Sequence, residues 1–122
     1  MTRPVTGVPT SAWRPGMPSL YAGFSGILAG GQQSPGGYCV WVTAASGNPV
    51  PVVWPQGFRA RLDPLELLGP GGEVVARGGD HLTAGGGFLP VDPARPCMLG
   101  QDRAFHVQSG IRVTGGTGPV PG

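Results

Sequence analysis

The chain has 122 residues, of which 24 are glycine and 15 proline, about a third of all positions, and 39% are hydrophobic. That length holds one domain, the apolar content excludes a simple disordered tract, the absence of a three-residue glycine period excludes collagen, and the density of helix breakers excludes long helices. The eight basic residues are all arginine and six carboxylates offset them, leaving too little surplus, too scattered, for the basic stripe of a nucleic-acid footprint.

Residues 1–19 contain Pro4, Pro9, Pro15 and Pro18 and are expected to form an extended tail, because prolines neither continue a helix nor donate steadily to a ladder. Residues 21–29 alternate imperfectly around Gly23 and Gly26 and predict a strand bent at its glycines. The loop 30–37 (GGQQSPGG) leads into 38–44 (YCVWVTA), the clearest strand, bounded by turn residues and rich in β-branched and aromatic side chains. Its pleat puts Cys39, Trp41 and Thr43 on one side and Tyr38, Val40 and Val42 on the other. A turn at Ser46, Gly47, Asn48 and Pro49 and a second apolar run, 50–54, complete a hairpin. Residues 55–64 carry Phe58, Arg59 and Arg61 and are expected to be irregular.

A second hairpin follows, with arms 65–68 and 73–77 around Gly69, Pro70, Gly71 and Gly72. A short strand, 81–84, is closed by Gly85, Gly86 and Gly87. A loop with Pro90, Pro93 and Pro96 passes Cys97 and enters the last strand, 104–113, interrupted at Gly110. Residues 115–122 (GGTGPVPG) form a second tail. The expectation is an all-β domain over 20–114, with six or seven short strands in a small barrel or sandwich.

Cys39 and Cys97 belong to no CxxC pair and leave two readings open: a bridge closing nearly half the chain, or two small buried hydrophobes. No stretch approaches the length of a membrane helix, and none combines a basic start with an uninterrupted apolar centre as an export signal does.

The order of a glycine-containing first strand, GGYCVWV, VVWPQGF, LGPGGEVVARGGDHL, a triple glycine and a late PC before the final strand resembles small uncharacterised β-barrel domains of high-GC Gram-positive bacteria, often in exported proteins or lipoproteins. The resemblance spans about residues 25–113. It implies an antiparallel barrel of the oligonucleotide/oligosaccharide-binding (OB) type and a disulfide between Cys39 and Cys97. It favours an extracytoplasmic location and carries no activity.

His81 and His106, with Asp80, Asp92, Asp102 and the cysteines, exhaust the usual transition-metal ligands, and their spacing gathers no three of them, so no metal or other cofactor is expected. Asp80 suits a turn that bonds local backbone. The nucleophile signatures GxSxG and SxxK are absent, and a Cys39, His106 and Asp80 set would use a cysteine wanted for the bridge. Asp63 before Pro64 and Glu73 after a turn have local structural roles. Glycine-rich phosphate cradles need a following helix and a basic partner, and the chain has neither such a helix nor a lysine. The sequence therefore points away from an enzyme. The expected function is a protein-binding or self-associating module, whose sparsely charged surface suits such contacts. The alternative is single-strand nucleic-acid binding on a face made of Tyr38, Trp54, Phe58, Arg59 and Arg61, in which Trp41 would also stack.

Overall fold

A computed structural model describes residues 4–13, 16, 22–33, 37–108 and 110–115. The expected stretches 1–3, 17–21 and 116–122 lie outside the described residues. Ten strands are present among those described: β1 (Val5–Gly7), β2 (Ala22–Gln33), β3 (Gly37–Thr43), β4 (Pro49–Val53), β5 (Arg59–Arg61), β6 (Glu66–Leu68), β7 (Val74–Arg77), β8 (His81–Pro90), β9 (Arg103–Val107) and β10 (Arg112–Gly115). The fold is all-β, built on two sheets, with the six-stranded sheet partly closed on itself.

Closure follows from two long strands that change partners. The first half of β2 pairs with β8 and its second half with β3. The first half of β8 pairs with β2 and β10, and its second half pairs with β9. The cycle β2, β3, β4, β9, β8 is completed by a parallel pairing of Val52 and Val53 with Phe105 and His106. Glycine makes the bends possible. A Cβ on Gly26 would be driven into the Thr43 carbonyl oxygen and the Val42 side chain, so only hydrogen fits where β2 crosses β3. Two sequence expectations change here. Gly30 and Gly31 continue β2, and the triple glycine continues β8, because these glycines serve close approach and curvature and do not end their strands.

The prolines of β4 are placed where they cost no ladder bond. Pro49 and Pro51 lie opposite Thr43 and Trp41, with Val50 opposite Val42 between them. A proline cannot donate, so Val50 is the residue that exchanges hydrogen bonds with β3, and the proline nitrogens turn to the other edge. β9 joins that edge only from Val52 onward. The Pro49 carbonyl is met there by the Gln101 side-chain amide at 2.8 Å.

Inward-facing residues follow the period of two: Leu28, Val40, Val42, Val52, Trp54, Leu82, Ala84, Phe105 and Val107 are all buried in one core. Each large member contributes roughly 1.5–3 kcal/mol by leaving water. Phe24, Phe88 and Phe105 meet with ring centroids 4.8 to 5.8 Å apart at one part of this core.

The second sheet runs β1, β5, β6, β7. Its row Ala60, Leu67 and Ala76, aligned across three strands, belongs to the same core, so the small sheet covers part of the larger one. The opposite row is charged. Glu66 lies between Arg61 and Arg77 in register, with oxygens 2.8 and 3.4 Å from them, and is 6% exposed. A buried carboxylate left without partners, or arginines left without it, would cost more than an exposed pair is worth. Replacing Glu66 with alanine is therefore expected to lower stability by about 2 kcal/mol in urea unfolding. Arg77→Ala, at a side chain 64% exposed, is expected to cost under about 0.5 kcal/mol.

Both expected hairpins are present, β3 with β4 and β6 with β7. The span read as an extended tail departs from expectation over residues 4–13. Val5–Gly7 pairs with β5, and Thr10 bridges Trp54 in parallel. Residues 55–64 likewise hold a strand, β5, where an irregular stretch was expected. Three-residue strands have no periodicity to read; β1 and β5 pair with each other across a long stretch of sequence, and β5 pairs also with β6, next in the chain.

Candidate functional site

Loop 91–102 joins β8 to β9 and folds over the outward face of β3, β4 and β9. Val53, Met98 and Ala104 are buried beneath it, with Val91 packed alongside. Cys97 and Leu99 hold left-handed φ of 68° and 57°, conformations that L side chains resist. Three anchors hold the loop in this shape. Met98 is buried at 4% exposure, Gln101 bonds Pro49, and the Cys39 and Cys97 sulfurs stand at bonding distance, 2.06 Å, with Cα atoms 5.3 Å apart. Cys39 lies on the outward side of β3, as the pleat predicts, while Val40 and Val42 face the core.

On the other side runs the strap 4–13. It bonds β5 through Leu62 N–H to the Pro4 carbonyl, and it holds Trp54 through Trp54 N–H to Pro9 carbonyl and Ser11 N–H to Trp54 carbonyl, at 2.9, 2.8 and 2.9 Å. Between strap and loop lies a pocket of about 580 Å³. Val53 and His106 contribute to its floor, Asp92, Arg95 and Pro96 to one wall, and residues 6–11 to the other.

Thr6, Thr10 and Ser11 line the strap side of this pocket, and Asp92, Arg95 and His106 line it elsewhere. The Asp92 carboxylate accepts the Ala94 N–H at 2.9 Å, the usual local turn of that residue. His106 Nδ1 lies 3.2 Å from the Ala104 carbonyl, which can only accept, so the proton sits on Nδ1 and Nε2 carries the lone pair in the neutral ring. The pocket lining joins His106, Arg95 and the engaged Asp92 to Thr6, Thr10, Ser11 and Tyr38.

The five residues of the expected stacking face differ in exposure. Trp54 is 0% exposed and its indole N–H is buried with no partner among the described residues. Phe58 stacks on it, rings 6.3 Å apart and 7° from parallel, half-buried against the same core. Tyr38 is half-buried and adjoins the pocket. Burial, and then the Asp63 carboxylate, push its hydroxyl above the usual tyrosine range, so it stays neutral. Arg61 is engaged by Glu66, and Arg59 is exposed on β5. Trp41 is half-buried on the outward side of β3.

The remaining chemical candidates are apart. His81 Nδ1 meets the Thr114 hydroxyl at 2.7 Å, and Asp80 accepts the Arg77 N–H at 2.8 Å in the turn before β8. Among the described residues no three of histidine, cysteine, aspartate and glutamate gather as metal ligands. Among the described residues no helix is long and apolar enough to cross a membrane. The sequence singled out Cys97, Asp92 and His106 singly, without bringing them together. It missed Arg95 and the whole of the strap wall, for which prolines were the only local signal. No family model matches the chain, and neither a curated protein nor a solved structure matches it.

Proposed function

We propose that the chain is a non-enzymatic interaction module built on an OB-type barrel, taking a short segment of a partner protein into the pocket between strap and loop. Two features support the OB-type reading. The cycle holds five strands, and it is a Greek key: the last two strands exchange places, so that β9 closes in parallel on β4. Barrels of this type bind ligands on their second and third strands and on the loops between the first and second and between the fourth and fifth. Counted around the cycle, those are β3, β4 and, for the fourth-to-fifth connection, loop 91–102.

The observation that carries the function is how that face is used. Loop and strap wall it into a pocket of about 580 Å³, the size of a site for a small group or a few side chains. A single-stranded nucleic acid needs an open, basic groove with exposed rings. Here the largest ring of the expected face is buried, and among the described residues Arg95 is the one arginine on the pocket wall. A disulfide at Cys39 and Cys97 would place the module in an oxidising, extracytoplasmic compartment.

Anisotropy titration with labelled oligothymidine at low and at physiological salt is expected to give no tight, salt-sensitive binding; such binding would establish the nucleic-acid alternative instead. Selection from a displayed library of short peptides is expected to enrich one consensus. Thr10→Trp, at an exposed residue on the pocket wall, is expected to abolish its capture.

A further inference from the structure

The strap has a free edge. Among the described residues β1 is the outermost strand of its sheet and pairs only with β5. The register sets Thr6 opposite Ala60, and Leu62 N–H donates to Pro4 carbonyl two residues earlier. In an antiparallel ladder this makes Thr6 the residue that bonds β5, while Val5 and Gly7 point their N–H and C=O groups outward. Farther along, Pro9 and Ser11 bond Trp54, so the open stretch of that edge is Val5 and Gly7, and Thr10 turns its own N–H and C=O to the other side. Gly7 and Thr10 both line the pocket. Unpaired backbone of this kind is a template for another strand.

The surrounding charge is specific. Arg59 lies directly opposite Gly7 on β5, and Arg95 stands on the facing wall of the pocket. Among the described residues neither forms an ion pair with a carboxylate. Gly7 has no side chain, and a Cβ there would meet nothing within 4 Å. The guanidinium of Arg59 therefore has an open path over Gly7 to whatever strand lies alongside. Asp92 is the single carboxylate on the pocket wall, and it is held by the Ala94 N–H.

We infer that β1 accepts an extended acidic peptide of a partner protein as an added strand, with backbone bonds to Val5 and Gly7, apolar side chains in the pocket over Val53, and carboxylates toward Arg59 and Arg95. This rests on the proposed protein-binding function and names its mode and its ligand chemistry. Backbone bonds supply affinity in such recognition, and alternate side chains supply selectivity.

The test uses the whole chain and two end-capped, fluorescein-labelled peptides of about eight residues, one alternating valine with glutamate and one alternating valine with lysine. The glutamate peptide is expected to bind saturably and at least about tenfold tighter than the lysine peptide, a gap narrowed by salt. Gly7→Pro removes an N–H that β5 does not use and puts a ring on the open edge. It is expected to weaken binding about tenfold or more. In wild-type protein the Val5 and Gly7 amides are expected to gain hydrogen-exchange protection on adding the glutamate peptide, a readout independent of any variant's folding. Equal binding of both peptides, equal binding by wild type and Gly7→Pro, or unprotected Val5 and Gly7 amides in saturated protein would overturn strand addition. If Thr10→Trp still abolishes capture of library peptides in that event, the protein-binding function stands without it; if no peptide is captured, the function itself falls.

Discussion

Replacing Gly86 with alanine is expected to lower the melting temperature by about 20 °C, or to leave the chain unfolded. Gly86 sits where β8 changes partners, paired at once with Ala22 on β2 and Val107 on β9. Its φ is 153°, outside the range an L side chain adopts readily. An added Cβ would be driven into the His106 carbonyl oxygen, 3.0 Å from the carbonyl carbon and 3.1 Å from the Gln108 nitrogen. All three atoms are backbone in or beside β9, so no side chain can swing away to make room. Relief requires parting β8 from β9, the contact that closes the sheet. The expected cost is about 4 kcal/mol or more, a large fraction of the 5–15 kcal/mol that holds a small domain together. Gly110→Ala is the control: nothing lies within 4 Å of its Cβ, and its melting point is expected to stay within about 3 °C. A Gly86→Ala protein that melts with the wild type would show that the seam is not closed here.

The second large effect is expected from Cys39→Ser with Cys97→Ser. The two residues are 58 apart in sequence, and releasing a loop of that size restores entropy to the unfolded chain worth about 4 kcal/mol. Urea unfolding of wild type with and without reductant, beside the double variant, measures it. The loss is also expected to be local. Without Cys97 held against β3, residues 97–100 keep two left-handed side-chain conformations with only Met98 and Gln101 to hold them. Amide exchange at Met98 and Gln101 is expected to accelerate more than exchange at Val42. Two freely alkylated cysteines in the native, unreduced protein would refute the bridge.

Legibility in the sequence followed the distance between partners. The β3–β4 and β6–β7 hairpins have arms a few residues apart, and their turn residues and alternation sufficed to place them. The pleat of β3 set Cys39 outward and Val40 inward correctly. Gly85, Gly86 and Gly87 misled, because a glycine that ends a strand and one that lets two strands approach look the same until the approaching backbone is known. β1 and β5 are three residues each, too short for any period; β1 exists because it finds β5, and β5 lies between β1 and β6. The pocket was illegible for the same reason: its walls come from residues 6–11 and 90–98, far apart in the sequence. Trp54 illustrates the ambiguity of aromatic residues, since its type suited a stacking surface and its burial made it core.

The strap and the parallel β4–β9 pairing also bear on how the chain folds as it is made. Residues 5–7 emerge first but have nothing to pair with until 59–61 follow, and residues 22–27 wait for 81–86. The cycle cannot close before β9 is synthesised. Such long-range topology folds in milliseconds to seconds, slowly beside helical domains, and a nascent chain with 11% charged residues has little repulsion to keep its strands from those of its neighbours. Pro49 and Pro51 gain a second meaning in that interval. While β4 waits for its parallel partner, its open edge offers no donor at either position, so the hairpin can reach its native mate without serving as a template for a stranger.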